Sequence, residues 1–130
     1  MLKKILPNCP VEVTLTLISN KWKVLIIREL LTGTKRFGEL RKSLGDISQK
    51  VLTENLREME KDSLIQRDVY PEVPPKVEYS LTKLGYSLKE ILDIMFIWGE
   101  KYKKNMSWKV HIKVTIYCYI NSIKSFPKMF

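Results

Sequence analysis

Between Leu44 and Glu60 the chain interleaves residues that hydrogen-bond with residues that do not. Leu52, Leu56 and Met59 are spaced i, i+4 and i+7 and so share one face of a helix, which leaves Gln49, Lys50, Thr53 and Arg57 on the faces turned away from it. The chemistry on offer is recognition rather than bond-making. An amide, an ammonium, a hydroxyl and a guanidinium on a rod pinned to a core can bond base edges and hold phosphate oxygens.

Such a rod needs elements to brace it. Leu44-Gly45-Asp46-Ile47 reads as a tight turn ahead of it, and either Ser48 caps the helix directly or Asp46 does, with Gln49 reaching back. Before the turn, Phe37, Leu40 and Leu44 mark a short helix, and Trp22, Leu25, Ile26 and Leu30 mark a longer one opened by Ser19 or Asn20 and stopped by Thr32-Gly33. Val11, Leu15 and Ile18 suggest a first short helix. Helix, four-residue turn and helix together are the spacing of a helix-turn-helix. Beyond Met59, Lys61-Asp62-Ser63-Leu64 should end the rod, and Ile65 to Tyr70 and Lys76 to Leu81 then read as two strands. Pro71, Pro74 and Pro75 lie between them; proline has no N–H for a sheet ladder, so the pair becomes a hairpin with a stiff tip, a wing.

Thr82 is the expected cap of a long last helix in which Leu84, Leu88, Ile91, Met95, Trp98 and Tyr102 repeat with spacings of four and three. Leu92, Ile94, Phe96 and Ile97 widen its apolar surface beyond what one small core can cover, so part of it is expected to pack on a second copy of the chain. From Trp108 the period changes to two: Val110, Ile112, Val114, Ile116, Cys118 and Ile120 alternate with mostly polar residues and read as a strand. The expected organisation is therefore one mainly helical domain with a β-hairpin wing over residues 1–104, followed by an atypical basic, strand-like tail over 105–130.

Composition sets the outer bounds. A chain of 130 residues with 45% apolar and 28% charged side chains supports one globular domain. No run of eighteen apolar residues could span a bilayer, and the opening Met1-Leu2-Lys3-Lys4 lacks an apolar signal core, so a cytoplasmic protein without a membrane partner is expected. The formal charge is +9; residues up to Asn105 carry 19 basic and 14 acidic side chains, and the tail carries four basic and none acidic. That excess favours polyanionic partners without choosing among them. Cys9 and Cys118 have neither CxxC spacing nor histidine neighbours, since His111 is the only histidine, so free thiols are expected and no metal or other cofactor. Catalysis is equally unsupported. No Gly-rich phosphate loop or nucleophile elbow occurs, and no Ser-His or Cys-His pair can be built within the body.

Taken together, Cys9-Pro10-Val11-Glu12, Lys21-Trp22, Arg28-Glu29-Leu30, Arg36-Phe37-Gly38-Glu39-Leu40, Ile47-Ser48-Gln49-Lys50-Val51-Leu52-Thr53, Leu56-Arg57-Glu58-Met59-Glu60 and Tyr79-Ser80-Leu81-Thr82-Lys83-Leu84-Gly85 resemble the HxlR-type winged helix-turn-helix regulators of bacteria. The resemblance runs from Cys9 to Tyr102 and implies a homodimeric transcriptional regulator related to the MarR-type proteins, binding double-stranded DNA. It places the helix after Ile47-Ser48-Gln49-Lys50 in the major groove. Ser48, Gln49, Lys50 and Thr53 become candidates for base edges and phosphates, with Arg57 farther along. Glutamine suits adenine, lysine suits guanine or phosphate, and the threonine methyl suits thymine. Lys35, Arg36 and Arg41, with Lys76 in the wing, are phosphate candidates. Glu54 and Glu58 work against this, because a carboxylate facing phosphates is repelled; they are expected to pair with Arg57 or Lys61, or to accept from a cytosine.

The resemblance carries two further expectations. Cys9 stands where several relatives carry an oxidant- or electrophile-sensing thiol, so it is the sensor candidate. The dimer interface is expected to draw on Val11 and Leu15 of the first helix and on Leu88, Ile91, Met95, Trp98 and Tyr102 of the last. The expected function is a sequence-specific regulator, acting as a repressor on a pseudo-palindromic operator. The rival is a winged domain used only for protein association, which a steep loss of DNA affinity with rising salt would dismiss.

Overall fold

The computed structural model describes residues 5–105. Its elements, in chain order, are helices α1 (Pro10–Leu17) and α2 (Lys21–Leu30), strand β1 (Lys35–Arg36), helices α3 (Phe37–Leu44) and α4 (Gln49–Lys61), strands β2 (Ile65–Tyr70) and β3 (Lys76–Leu81), and helices α5 (Lys83–Ser87) and α6 (Lys89–Asn105). Helices and a small sheet in this order form the expected winged helix-turn-helix.

Local chemistry sets most of the boundaries. Asn20, not Ser19, caps α2 by accepting the Lys23 amide at 3.1 Å. Ser48, not Asp46, caps α4: its Oγ accepts the Val51 amide at 3.2 Å. Gly45 turns the chain between α3 and α4 at φ 74°, a conformation glycine adopts without a Cβ penalty. Buried Ile47 then ties the turn to the core. At the far end of α4 the Leu64 amide donates to Met59 O and the Ser63 amide to Glu60 O, both at 3.0 Å. With Ser63 at φ 62°, this is a Schellman stop, and buried Leu64 and Met59 are its apolar partners.

β2 and β3 occupy the predicted spans and pair antiparallel from Ile65↔Leu81 to Tyr70↔Lys76. A third strand joins them that the sequence pattern does not predict. Lys35 and Arg36, which read from sequence as leading into a helix, pair with Tyr79 and Glu78, and the sheet becomes three-stranded in the order β1-β3-β2. Two residues are too few to show an alternation, so only the neighbouring strand reveals them.

The core is built from Ile26, Ile27 and Leu30 of α2, Leu40 and Leu44 of α3, Leu52, Leu56 and Met59 of α4, and Leu64, Ile65, Tyr79 and Leu81 at the base of the sheet. The last helical segment departs from expectation. Thr82 does cap it, accepting the Gly85 amide at 3.0 Å, but the helix breaks at Leu88 into α5 and α6. Leu88, expected at the dimer interface, is only 7% exposed and belongs to the chain's own core, as does Leu92. Gly85, Leu88 and Leu92, spaced three and four apart, are all buried, so the inward stripe here is offset from the repeat that runs through Leu84 and Ile91. The first helix also differs: no residue within α1 is buried, and Ile18, just beyond it, is the one that packs inward.

An apolar surface remains uncovered on α1 and α6. Val11 is 68% exposed, Leu15 57% and Trp98 67%, and Ile91, Ile94, Met95, Ile97 and Tyr102 are also exposed. The Trp98 and Tyr102 rings stack on each other with centroids 5.4 Å apart. Among the described residues no helix is long and apolar enough to cross a membrane. The strand expected between Trp108 and Ile120, with Cys118 and the rest of the tail, lies outside the described residues.

Candidate nucleic-acid interface

Helix α4 carries the candidate surface, and its buried side is fixed by more than leucine. Leu52, Leu56 and Met59 are buried as their spacing predicts, but Asn55 is buried with them. Its Nδ2 donates to Val51 O at 2.8 Å, and its Oδ1 accepts from Asn20 Nδ2 at 3.0 Å. Thus the side chain that caps α2 also holds the middle of α4. Close by, Lys23 is 3% exposed, and its Nζ donates to Glu58 Oε2 at 2.6 Å and to Ser19 Oγ at 3.4 Å. An ammonium out of water requires such a partner.

The sequence reading misses this polar staple, although half of it leaves a trace there. Positions 52, 55, 56 and 59 form one continuous stripe, so an asparagine within the stripe has to be buried and satisfied. Nothing comparable announces Lys23. Glu58 is corrected accordingly: its partner is Lys23 of α2, rather than Arg57 or Lys61. Its charge is largely compensated, so the objection it raised against a phosphate partner weakens. Glu54 is exposed and keeps its share of that objection.

On the outer side, Ser48, Gln49 and Lys50 are exposed at the helix start and Arg57 is exposed two turns on. Thr53, between them, is half-buried, and its hydroxyl donates to Gln49 O at 2.8 Å. Its proton is therefore used within the helix, which leaves the oxygen and the methyl for any outside partner. The Ser48 oxygen is engaged as the cap, so that residue's outward resources are its hydroxyl proton and its backbone at the positive end of the helix dipole.

The flanking cations divide. Arg41, on α3, is exposed and belongs to the helix that precedes the turn. Lys35 and Arg36 sit instead on the outer strand of the wing sheet, where the Arg36 amide donates to Glu39 Oε1 at 3.4 Å. Lys76 is held by Glu78, with Nζ 2.9 Å from Oε1, and lies over the Tyr70 ring at 5.0 Å from its centroid. Much of its charge is thereby spent inside the wing. Cys9 is an exposed free thiol at the N-cap of α1 and offers no side-chain cap bond.

Comparison with known proteins gives the arrangement its place. Residues 17–107 match the family described as HxlR-like helix-turn-helix. The HTH-type transcriptional regulator YdeP of Bacillus subtilis (strain 168) is 53% identical over 96 residues, which cover 74% of this chain and 75% of YdeP. Among solved structures, the reduced form of the redox regulator HypR matches with a TM-score of 0.72 and 44% identity, over 76% of this chain and 98% of that one. A transcriptional regulator of the MarR family from Porphyromonas gingivalis W83 matches with a TM-score of 0.68 and 38% identity, over 75% of this chain and 97% of that one. The chain belongs to the HxlR-like helix-turn-helix family, and it is a transcriptional regulator.

Proposed function

We propose that the protein regulates transcription by binding a pseudo-palindromic operator as a homodimer, with residues 1–104 forming the binding and dimerisation unit, and that it represses. The observation that carries this reading is α4: its inner side is tied down by Leu52, Asn55, Leu56 and Met59, while Gln49, Lys50 and Arg57 stand in solvent on the other sides. Groups so displayed, at fixed positions on a rod narrow enough for a major groove, are suited to base edges. The enzymatic alternative has no support in the family, whose members regulate transcription. A winged domain serving protein association alone would have no use for this surface.

Genomic footprinting with the purified protein would return the half-site and its symmetry. On that duplex, Gln49→Ala and Lys50→Ala are each expected to lower affinity about tenfold and to relax the sequence preference at the base pair which that side chain reads. Wild-type affinity in both variants would remove them from the interface. An association module would show no binding that weakens steeply with salt.

Dimerisation is supported by the uncovered apolar faces of α1 and α6. Val11 and Leu15 from one and Ile91, Met95, Trp98 and Tyr102 from the other supply the aromatic and aliphatic surface that subunit interfaces favour. Reading successive major-groove turns requires the two copies to hold their α4 helices roughly 34 Å apart. Trp98→Ala should weaken self-association by about 2 kcal/mol, or ~30-fold, in sedimentation equilibrium. A wild-type protein that sediments as a folded monomer at micromolar concentration would end the dimer proposal.

Cys9 is proposed as the sensor. Its exposure supports this, as does the likeness to HypR, which is named a redox regulator. Joined in an intersubunit disulfide, two such thiols would give two electrons and two protons to an oxidant such as diamide, and the cross-link would shift the dimer that spaces the α4 helices. Diamide is expected to change DNA binding of the wild type and to leave Cys9→Ser unaffected. An equal response in both would acquit the thiol.

A further inference from the structure

Asn55 lies in the buried stripe of α4 among Leu52, Leu56 and Met59, where a leucine would put more apolar surface into the core. An amide is tolerated there because it is satisfied. Its Nδ2 donates to Val51 O at 2.8 Å and its Oδ1 accepts from Asn20 Nδ2 at 3.0 Å, while Asn20 Oδ1 accepts the Lys23 amide at 3.1 Å. One line of hydrogen bonds thus runs from the first turn of α2, through two amide side chains, to the first turn of α4.

The line ends where the outward groups stand. Val51 directly follows Gln49 and Lys50, and both of its backbone groups are held, the N–H by Ser48 Oγ at 3.2 Å and the C=O by Asn55. The turn that displays Gln49 and Lys50 is therefore tied to α2 by directed bonds as well as by the apolar stripe. Apolar burial has no direction of its own, whereas a hydrogen bond fixes both distance and angle. That difference matters for base edges, where recognition tolerates a misplacement of only about 0.5 Å. Cations on phosphates act as charges and tolerate more.

We propose that Asn20 and Asn55 are positioning residues for sequence recognition: their amide bridge sets the pose of α4 against α2, and with it the reach of Gln49 and Lys50 into a groove. Both asparagines act through those two side chains rather than on DNA itself. This role rests on the DNA-binding function proposed above. It adds to that function a determinant of specificity that lies behind the contact surface.

Asn20→Ser separates the bridge from the cap, because serine caps a helix about as well as asparagine but is too short to donate across to Asn55. Water can then satisfy the Asn55 oxygen without tying it to α2. Circular dichroism checks that the variant folds. The full chain is titrated by fluorescence anisotropy against the duplex recovered by footprinting and against a duplex of scrambled sequence. Asn20→Ser should bind the footprinted duplex about tenfold more weakly, hold the scrambled one within about twofold, and keep the steepness of the salt dependence on both. Asn55→Leu removes the other end of the bridge and should lose the same discrimination, and the double variant should lose no more than either single one. Hydrogen exchange in the first turn of α4 should quicken in Asn20→Ser while that of α3 stays as in the wild type. Wild-type discrimination in Asn20→Ser, or an equal loss on both duplexes, overturns the positioning role. A wild type that binds neither duplex sinks the DNA-binding function, and the role in recognition with it; faster exchange in Asn20→Ser would then leave the bridge as a fixing point of α4 alone.

Discussion

Gly85→Ala is expected to cost the protein about 3 kcal/mol, the upper part of the range for overpacking a closed site, despite the better helix propensity of alanine. Gly85 is buried in the first turn of α5, and a Cβ built on it would overlap the carbonyl oxygen of Leu64 and approach Leu81 Cδ2 to 2.9 Å. Neither obstacle can easily give way. The Leu64 carbonyl is held by the Thr82 amide, which donates to it at 3.1 Å, while the Thr82 hydroxyl donates to the neighbouring Ser63 carbonyl at 2.6 Å. It also sits at the junction where α4 ends and β2 begins. Relief would mean lifting α5 off the sheet, and with it the Thr82 cap. For a domain of this size the expected fall in melting temperature is about 10 to 20 °C. A thermal denaturation curve within about 2 °C of the wild type would show that the contact relaxes cheaply and that the close approach is not a constraint.

The second large effect is an asymmetry between two substitutions at one ion pair. Glu58→Ala removes the principal partner of a Lys23 ammonium whose side chain is 4% exposed, leaving it only Ser19 Oγ at 3.4 Å. Stranding a buried charge costs about 3 to 5 kcal/mol, and the 60% exposure of Glu58 argues for the bottom of that range, about 3 kcal/mol. Lys23→Met removes the charge itself and refills the space with a side chain of similar length. Its expected cost is below about 1 kcal/mol, because the Glu58 left behind can turn to water. Urea denaturation would read both as shifts of midpoint at constant slope. If Lys23→Met proves the more damaging, the Glu58 carboxylate is not what keeps the Lys23 charge tolerable in the interior.

The elements differ in how far they can be seen without coordinates. The bounds of β2 and β3 and the inward set Leu52, Leu56 and Met59 agree with a reading of spacing alone, whereas the choice of Ser48 over Asp46 as the α4 cap needed the structure. Leu88 departs from its spacing. In a continued four-three repeat it belongs with Met95 and Trp98 on an open face, but the helix breaks there and it enters the core. Strand β1 is hidden because its two residues acquire strand character only from Tyr79 and Glu78. The sequence reading does not single out Arg67, which lines one cleft with Arg57 only because of how the sheet lies against α4.

By itself, the order of residues determined which side of α2, α3 and α4 is greasy, where the two strands of the hairpin run, and which polar groups α4 holds outward. Those are short-range matters, set within one or two turns by periodicity, capping atoms and the absence of an N–H in proline. Only the tertiary structure decided that Asn20 bonds Asn55, that Lys23 bonds Glu58, each 35 residues apart, and that Arg57 and Arg67 face one cleft. Each of these needs two surfaces to meet at a fixed angle. Packing of the whole core sets that angle, and no local pattern contains it.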